Sequence, residues 1–203
     1  MPDLFNENPE APQQLDLKNA SVTYYPALFS KEESDFYFRE LYRETPWQQD
    51  NITIFGKTYP QPRLTALYAS NGLAYSYSGI TMHPHNFTPA IQQIKERVEK
   101  IANIEFTTCL LNLYRNGQDS NGWHADDEKE LGINPIIASV SLGAERFFKM
   151  RQKNKEGDVI KLKLAHGSLL LMQAETQHHW QHELPKTRLE IGSRINLTFR
   201  IIK

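Results

Sequence analysis

The chain has 203 residues, 39% of them hydrophobic and 23% charged, with 10 glycines and 11 prolines, a composition inside the globular range that excludes fibrous, coiled-coil and wholly disordered chains. Its 23 Lys and Arg are offset by 24 Asp and Glu, so no global positive field draws it to polyanions and any nucleic-acid surface must be a local patch. The single cysteine, Cys109 in the apolar stretch TTCLLNLY, excludes an internal disulfide framework and a multi-cysteine zinc site, which leaves histidine and carboxylate as the metal-holding groups.

Residues 1–20 are polar and proline-containing and read as a loosely held arm. The start lacks a basic n-region and an apolar h-region, and no apolar run approaches the roughly 20 residues that cross a bilayer. The expectation is a soluble monomer without membrane contact, cytoplasmic or, in a eukaryote, nuclear. SVTYYPALF reads as a short strand and turn. Ser30 followed by Glu33 is a capping-box signal for a helix to about Arg43, ended by Thr45-Pro46. TIFGKTY reads as a hairpin with Phe55 at its tip. Thr88-Pro89 supplies N-cap and first turn of a second helix, in which Ile91, Ile94, Val98 and Ile101 recur at spacings of 3, 4 and 3, a stripe that must cover a sheet.

From about residue 107 the pattern changes to period 2. TTCLLNLYR, IIASVSLG, RFFKMRQK, DVIKLKL, GSLLLMQ, HHWQHEL and RINLTFRII read as seven strands, which predicts a sandwich or barrel. The fold class is therefore mainly β with covering helices (α+β). Residues 21–203 form one domain, with helices and hairpins over about 21–105 and the strand-rich core over about 106–203.

The last strand places Arg194, Asn196, Thr198 and Arg200 on one face and Ile195, Leu197, Phe199 and Ile201 on the other. Such a polar face belongs either to a solvated sheet or to the inside of a small barrel, where two arginines would hold a dianion. The strand 107–115 repeats the alternation, setting Asn112 and Tyr114 beside that anion as neutral donors. After the loop NGQDSNGW comes His124-Ala125-Asp126, in which residues i and i+2 of an extended segment project to one side and reach one metal ion. A third ligand must come from His178, His179 or His182 in HHWQHEL; His178 and His182 share one parity, so the pattern leaves them equal. Two histidines and one carboxylate leave coordination positions open, which suits Fe(II) chemistry with oxygen, whereas structural zinc prefers a closed four-ligand shell.

The stretches LNLYRNGQDSNGWHADDE, IIASVSLGAERFF, LAHGSLLLM, HHWQHELP and SRINLTFR, with weaker likeness in IFGKTYPQPRLTALY and LAYSYSGI, resemble the AlkB family of Fe(II)/2-oxoglutarate-dependent nucleic-acid dioxygenases. The resemblance runs from about residue 110 to the C-terminus. It implies a double-stranded β-helix (jelly-roll, cupin-like) core and selects His182, immediately before the short LP segment, as the distal ligand. Carried over residue by residue, His124, Asp126 and His182 would hold Fe(II), and 2-oxoglutarate would be bound as co-substrate with O2. Arg194, aided by Asn112 and Tyr114, would pair with its far carboxylate, with Asn196 and Arg200 nearer the metal. A planar guanidinium in a water-poor barrel gives the bidentate clamp such a carboxylate requires.

The activity so implied is oxidative demethylation of N-alkylated bases, of the 1-methyladenine and 3-methylcytosine type, in DNA, with RNA as the second candidate. A methyl on the Watson–Crick edge cannot reach a buried iron from within a duplex, so the base must be single-stranded or flipped out. By the same resemblance Tyr75 and Tyr77 would contact the base, Asp127 and Glu128 its exocyclic amine, and Phe55 would fill the gap left by flipping; packing tyrosines, an acidic solvated loop and a buried hairpin Phe are the plain readings. Lys149, Arg151, Lys153 and Lys155 alternate through FFKMRQKNK, and Lys186 and Arg188 follow the distal histidine; they read either as phosphate contacts or, for the first group, as the charges that protect an edge strand. Rival functions are a dioxygenase acting on a protein or small molecule, and a catalytically idle nucleic-acid-binding relative.

Overall fold

The computed structural model describes residues 10–54, 56–77 and 80–202, with the side chains of residues 53, 54, 75–77 and 80 outside the description. In chain order it contains β1 (Gln13–Leu15), β2 (Ser21–Tyr25), α1 (Lys31–Glu44), β3 (Asn51–Ile54), β4 (Lys57–Pro60), β5 (Leu64–Ala69), β6 (Tyr75–Tyr77), β7 (Ile80–Met82) and α2 (Pro89–Ala102). The strand-rich part follows: β8 (Thr108–Tyr114), β9 (Asn121–His124), β10 (Ile137–Gly143), β11 (Arg146–Gln152), β12 (Ile160–Leu164), β13 (Ser168–Gln173), a single turn α3 (Thr176–His179), β14 (Trp180–Leu184) and β15 (Arg194–Arg200). The strands build a seven-stranded sheet in the order β1-β2-β13-β10-β15-β8-β5 and a four-stranded sheet in the order β12-β11-β14-β9, with β3-β4 and β6-β7 as separate hairpins. The strands of both sheets pair antiparallel. This is the mainly antiparallel, two-sheet architecture expected from the alternating segments, in the jelly-roll form that the resemblance implied.

Both long helices form where local chemistry places them. Ser30 accepts from the Glu33 backbone while the Glu33 side chain accepts from the Ser30 backbone, closing the capping box, and α1 stops at Thr45, ahead of Pro46. Thr88 caps α2 by accepting from the Ile91 N–H, Pro89 opens it, and Asn103 ends it in the left-handed region at φ 52°. Their apolar faces, including Leu41, Ile91, Ile94 and Val98, pack with Leu111, Val140, Ile195, Leu197 and Phe199 on one face of the seven-stranded sheet. On the other face Leu110, Leu170 and Met172 meet Phe148, Met150 and Trp180 of the smaller sheet. Period 2 thus sends alternate residues of β8 and β15 toward the helices and toward the space between the sheets. At Gly167 (φ 81°) a Cβ would lie 2.2 Å from Ser34 Oγ, so only glycine admits α1 this close to the turn before β13.

Two expectations are corrected. The N-terminal arm is tied down from Gln13 onward: β1 pairs with β2, Leu15 and Leu17 pack into the core between the sheets, and Lys18 O accepts from Trp180 Nε1 at 2.9 Å. HHWQHEL is not a strand throughout, because His178 and His179 belong to α3 and the strand begins at Trp180. Ala174 at φ 51° turns the chain, and Thr176 Oγ1, bonded to the Ser21 N–H and to Gln173 O, holds the helical turn. Among the described residues no helix is long and apolar enough to cross a membrane.

Candidate active site

Between the sheets, the polar rows of β8 and β15 face β14 and β9. In the ladder of the smaller sheet His182 of β14 stands opposite His124, the last residue of β9, and Asp126 follows two residues beyond. Ligand atoms of His124, Asp126 and His182 all lie within 4.8 Å of one another, the one such His/carboxylate group among the described residues. The His182 ring stacks on Phe148 with centroids 5.2 Å apart, and His124 meets it edge-on at 4.2 Å. His124 Nδ1 is 2.7 Å from Gly122 O. Donation there leaves the lone pair on Nε2, which lies 3.1 Å from the Asn121 side-chain amide nitrogen and is the ring atom free to ligate a metal.

Electrostatics suits the same use. Burial, reinforced by the neighbouring His124, pushes His182 down to about 3, so its imidazole is neutral. Burial works to raise Asp126, but Arg200, whose Nη2 lies 2.5 Å from Asp126 Oδ1, and the neighbouring His182 and His124 together outweigh it and hold the carboxyl below its ordinary value. The set is then two imidazoles, that of His182 neutral, and one ionised oxygen donor on one side of a cavity, which fits a 2-His-1-carboxylate Fe(II) centre.

Farther along β15, Arg194 is 2% exposed. Its Nη2 donates to Ser141 Oγ at 2.8 Å and its guanidinium carbon lies 5.3 Å from the Tyr114 ring centroid. Burial lowers its pKa to about 10, which leaves it charged at neutral pH. Arg194 Nε is buried without a hydrogen-bond partner among the described residues, a donor available to an anionic co-substrate. Asn112, opposite Asn196 in the β8–β15 ladder, accepts through Oδ1 from Arg63 Nε at 2.9 Å. Asn196 itself is engaged by the sheet: it donates to Ser139 Oγ at 2.8 Å and Val140 O at 3.1 Å, and accepts from Thr198 Oγ1 at 2.9 Å.

Reading the sequence missed several residues in and beside this cavity. Ser139 and Ser141 carried a signal, since ASVSLG alternates serine with apolar residues, the same pattern that marks β15. Arg63 carried none; it follows a proline outside the core strands, and only folding brings it to Asn112. Gln177, whose Oε1 accepts from the Asp126 N–H at 2.9 Å, sat unnoticed beside the competing histidines.

The expected substrate contacts divide. Phe55 lies outside the described residues. Tyr75 and Tyr77 are on β6, opposite Met82 and Ile80, and on one face of the strand; their side chains are outside the description. Glu128 lines the same cavity as the histidines, while Asp127 is exposed and paired with Lys153 at 2.6 Å. Lys149 pairs with Glu183 at 3.2 Å, and Arg151 lies 4.1 Å from the Trp123 ring centroid and donates to Gln181. The basic row is shorter than its alternation suggested: β11 ends at Gln152 and Lys155 turns back at φ 62°. Nor does it protect an edge, because β11 lies between β12 and β14. Lys186 and Arg188 are exposed on the loop after β14, which is anchored by Thr187 N–H donating to Gly117 O and by Gln118 Nε2 donating to Thr187 O.

Comparison with known proteins bears on this geometry. Residues 21–200 match the family described as the 2OG-Fe(II) oxygenase superfamily. The chain is 40% identical over 188 residues to the DNA oxidative demethylase ALKBH2 of Bos taurus, covering 88% of this chain and 68% of that protein. It is 43% identical over 190 residues to the alpha-ketoglutarate-dependent dioxygenase alkB homolog 3 of Homo sapiens, covering 89% and 66%. The chain thus spans about two thirds of the length of these relatives. Among solved structures, OsALKBH1 superposes with a TM-score of 0.64 at 14% identity, covering 88% of this chain and 97% of that one. A prolyl hydroxylase from Trichoplax adhaerens gives 0.63 at 12% identity, covering 89% and 83%. At these identities the two structures speak for the fold alone.

Proposed function

The chain belongs to the 2OG-Fe(II) oxygenase superfamily and, within it, to the AlkB family, and on that premise we propose that it removes N-linked methyl groups from alkylated bases of nucleic acid, DNA foremost and RNA second. The observation that carries the reading is the convergence of His124, a neutral His182 and an ionised Asp126 at one end of a cavity whose other end holds the buried, charged Arg194. One end suits a metal, the other a carboxylate.

His124, Asp126 and His182 hold Fe(II) in this scheme, and Arg194, Tyr114 and Asn112 receive the far carboxylate of 2-oxoglutarate. With both bound, Fe(II), 2-oxoglutarate and O2 supply the oxidation that puts one oxygen atom on an N-methyl carbon and the other into succinate, with loss of CO2. The hydroxymethyl group then leaves its nitrogen as formaldehyde, the hydroxyl proton goes to solvent, and the C–N bonding pair stays on the ring nitrogen, which regains its lone pair. The protein's own part is positional. Arg200 holds Asp126 ionised, Phe148 holds the His182 ring in plane, and Ser139, Val140 and Thr198 fix Asn196 in the cavity wall near the metal end. Tyr75 and Tyr77 on the β6–β7 hairpin, Phe55 between β3 and β4, and the acidic Asp127 and Glu128 present the base, which enters from a single strand or by flipping. Lys186 and Arg188, exposed on a loop whose backbone is anchored at Thr187, meet the phosphates, with Lys149, Arg151 and Lys153 released from their partners where the strand passes over β11.

The test is release of formaldehyde and succinate with Fe(II), ascorbate, O2 and 2-oxoglutarate, comparing oligonucleotides that contain 1-methyladenine or 3-methylcytosine with unmodified ones. Formaldehyde from methylated strands alone is the expected result. Succinate without formaldehyde would move the substrate to another class, and neither product from an iron-loaded protein would make it a binding protein.

A further inference from the structure

Asp126 differs from its two partners in how the chain carries it. His124 and His182 are locked opposite one another in a β ladder, whereas Asp126 lies past the end of β9, in the loop that leads to the 3-10 turn Lys129–Leu131. Among the described residues no turn or loop hydrogen bond between backbone groups involves residues 125–127. The Asp126 N–H donates instead to the side chain of Gln177, at 2.9 Å from Oε1. Gln177 is 1% exposed, and its amide nitrogen contacts Met172 Sδ at 3.5 Å, which turns the carbonyl oxygen toward Asp126.

Gln177 is itself firmly placed. It sits in α3 beside Thr176, whose hydroxyl bonds to the Ser21 N–H on β2 and to Gln173 O at the end of β13. The two histidines ride on the four-stranded sheet; Gln177 is tied, through Thr176, to the ends of β2 and β13 in the seven-stranded one. The segment from Gln177 to His182 therefore supplies one ligand directly and anchors the backbone of another. We infer that Gln177 is a positioning residue of the metal centre, which sets the reach of the Asp126 carboxylate by accepting its backbone N–H. This rests on the assignment of His124, Asp126 and His182 as the metal ligands.

Arg200 holds one carboxylate oxygen of Asp126, but with the backbone anchor gone the main chain that carries the carboxylate shifts and its free oxygen misses the metal; loss of partners that orient a ligand typically weakens metal binding about 10- to 100-fold. The inference is tested with Mn(II) alone, without co-substrate, by titrating full-length protein and reading free Mn(II) by electron paramagnetic resonance. Gln177→Leu, which removes the accepting oxygen, should raise the Mn(II) Kd about 10- to 100-fold. Gln177→Glu, which keeps an accepting oxygen at the same reach, should return it to near the wild-type value. Thermal unfolding of each metal-free variant reads folding separately. If Gln177→Leu does not fold, Gln177→Met, of similar length and with no comparable acceptor, takes its place. A wild-type Kd in the variant lacking the acceptor, or equal weakening in Gln177→Glu, overturns the inference and leaves the ligand assignment standing. No Mn(II) binding by the wild-type protein overturns the ligand assignment and this inference with it.

Discussion

Arg194 and Arg200 stand at opposite ends of β15 on the same face of the strand, yet they face different partners: Arg194 bonds to Ser141 and lies over Tyr114, while Arg200 bonds to Asp126. Both are buried, and the strand register opposes Arg194 to Tyr114 and Arg200 to Thr108. One strand therefore spans the cavity with a charged group at each end. The guanidinium at one end keeps a metal-side carboxylate ionised, and the other offers an unsatisfied buried donor. These two arginines are not equivalent, and removing them should have different signatures.

Arg194→Ala should raise the 2-oxoglutarate concentration needed for half-maximal succinate formation about 10- to 100-fold, the range of a lost charge-assisted hydrogen bond of roughly 1.5–3 kcal/mol. Arg194→Lys should recover only part of it, because an ammonium is a point donor and does not form the paired bonds of a planar fork. Titration of 2-oxoglutarate at saturating Fe(II) measures both. An unchanged requirement would remove Arg194 from the carboxylate site.

His182→Ala should abolish formaldehyde release, and His178→Ala should retain it. The two share strand parity in the sequence, but His178 lies on α3, exposed, with its Nε2 3.4 Å from the Asn134 backbone nitrogen. Turnover of 1-methyladenine by both variants, with iron content measured in each, separates them. An active His182→Ala protein would sink the ligand assignment.

Lys186→Ala and Arg188→Ala should each weaken binding to single-stranded DNA and lower the slope of log K against log salt by about 1. Lys149→Ala should change that slope less. Its ammonium already pairs with Glu183 at 3.2 Å, so fewer counterions are released when a phosphate replaces the carboxylate. Fluorescence anisotropy across a salt series gives all three slopes, and equal slopes for the three variants would refute the distinction.

Asp119 makes stability depend on acid. Burial raises its pKa, but Arg115, donating from Nε at 2.7 Å, from Nη2 at 2.9 Å and from its N–H at 2.9 Å, outweighs burial and holds the carboxyl below its ordinary 3.8. With the folded value below the unfolded one, the unfolded chain binds more protons on acidification. The contribution is present above about pH 4 and is lost as pH falls through the folded value. Asp119→Asn should cost on the order of 1 kcal/mol at neutral pH and flatten the fall in stability below about pH 4. Urea unfolding at the two pH values checks it; parallel pH profiles would show that another group carries the acid response.

Much of this protein was legible in its chain because the relevant signals are local. The capping box at Ser30, the Thr88-Pro89 start of α2 and the alternation of β8 and β15 depend on residues within a turn or a few strand positions of one another, and each formed where it was read. The HxD pair and the two arginines of β15 were visible for the same reason. What alternation does not specify is where a strand begins, and so HHWQHEL read as one strand when a bond from Thr176 to Ser21, 155 residues away, holds its first two residues in a helical turn. Partners across the fold carry no such local mark. Arg63 reaches Asn112 across 49 residues, Gln177 reaches Asp126 across 51 and Arg200 reaches Asp126 across 74. Composition, capping and period 2 determine which elements form and which face each presents; which buried polar groups satisfy one another is decided only when the two sheets close over them, because a buried donor must take the acceptor that packing brings within reach.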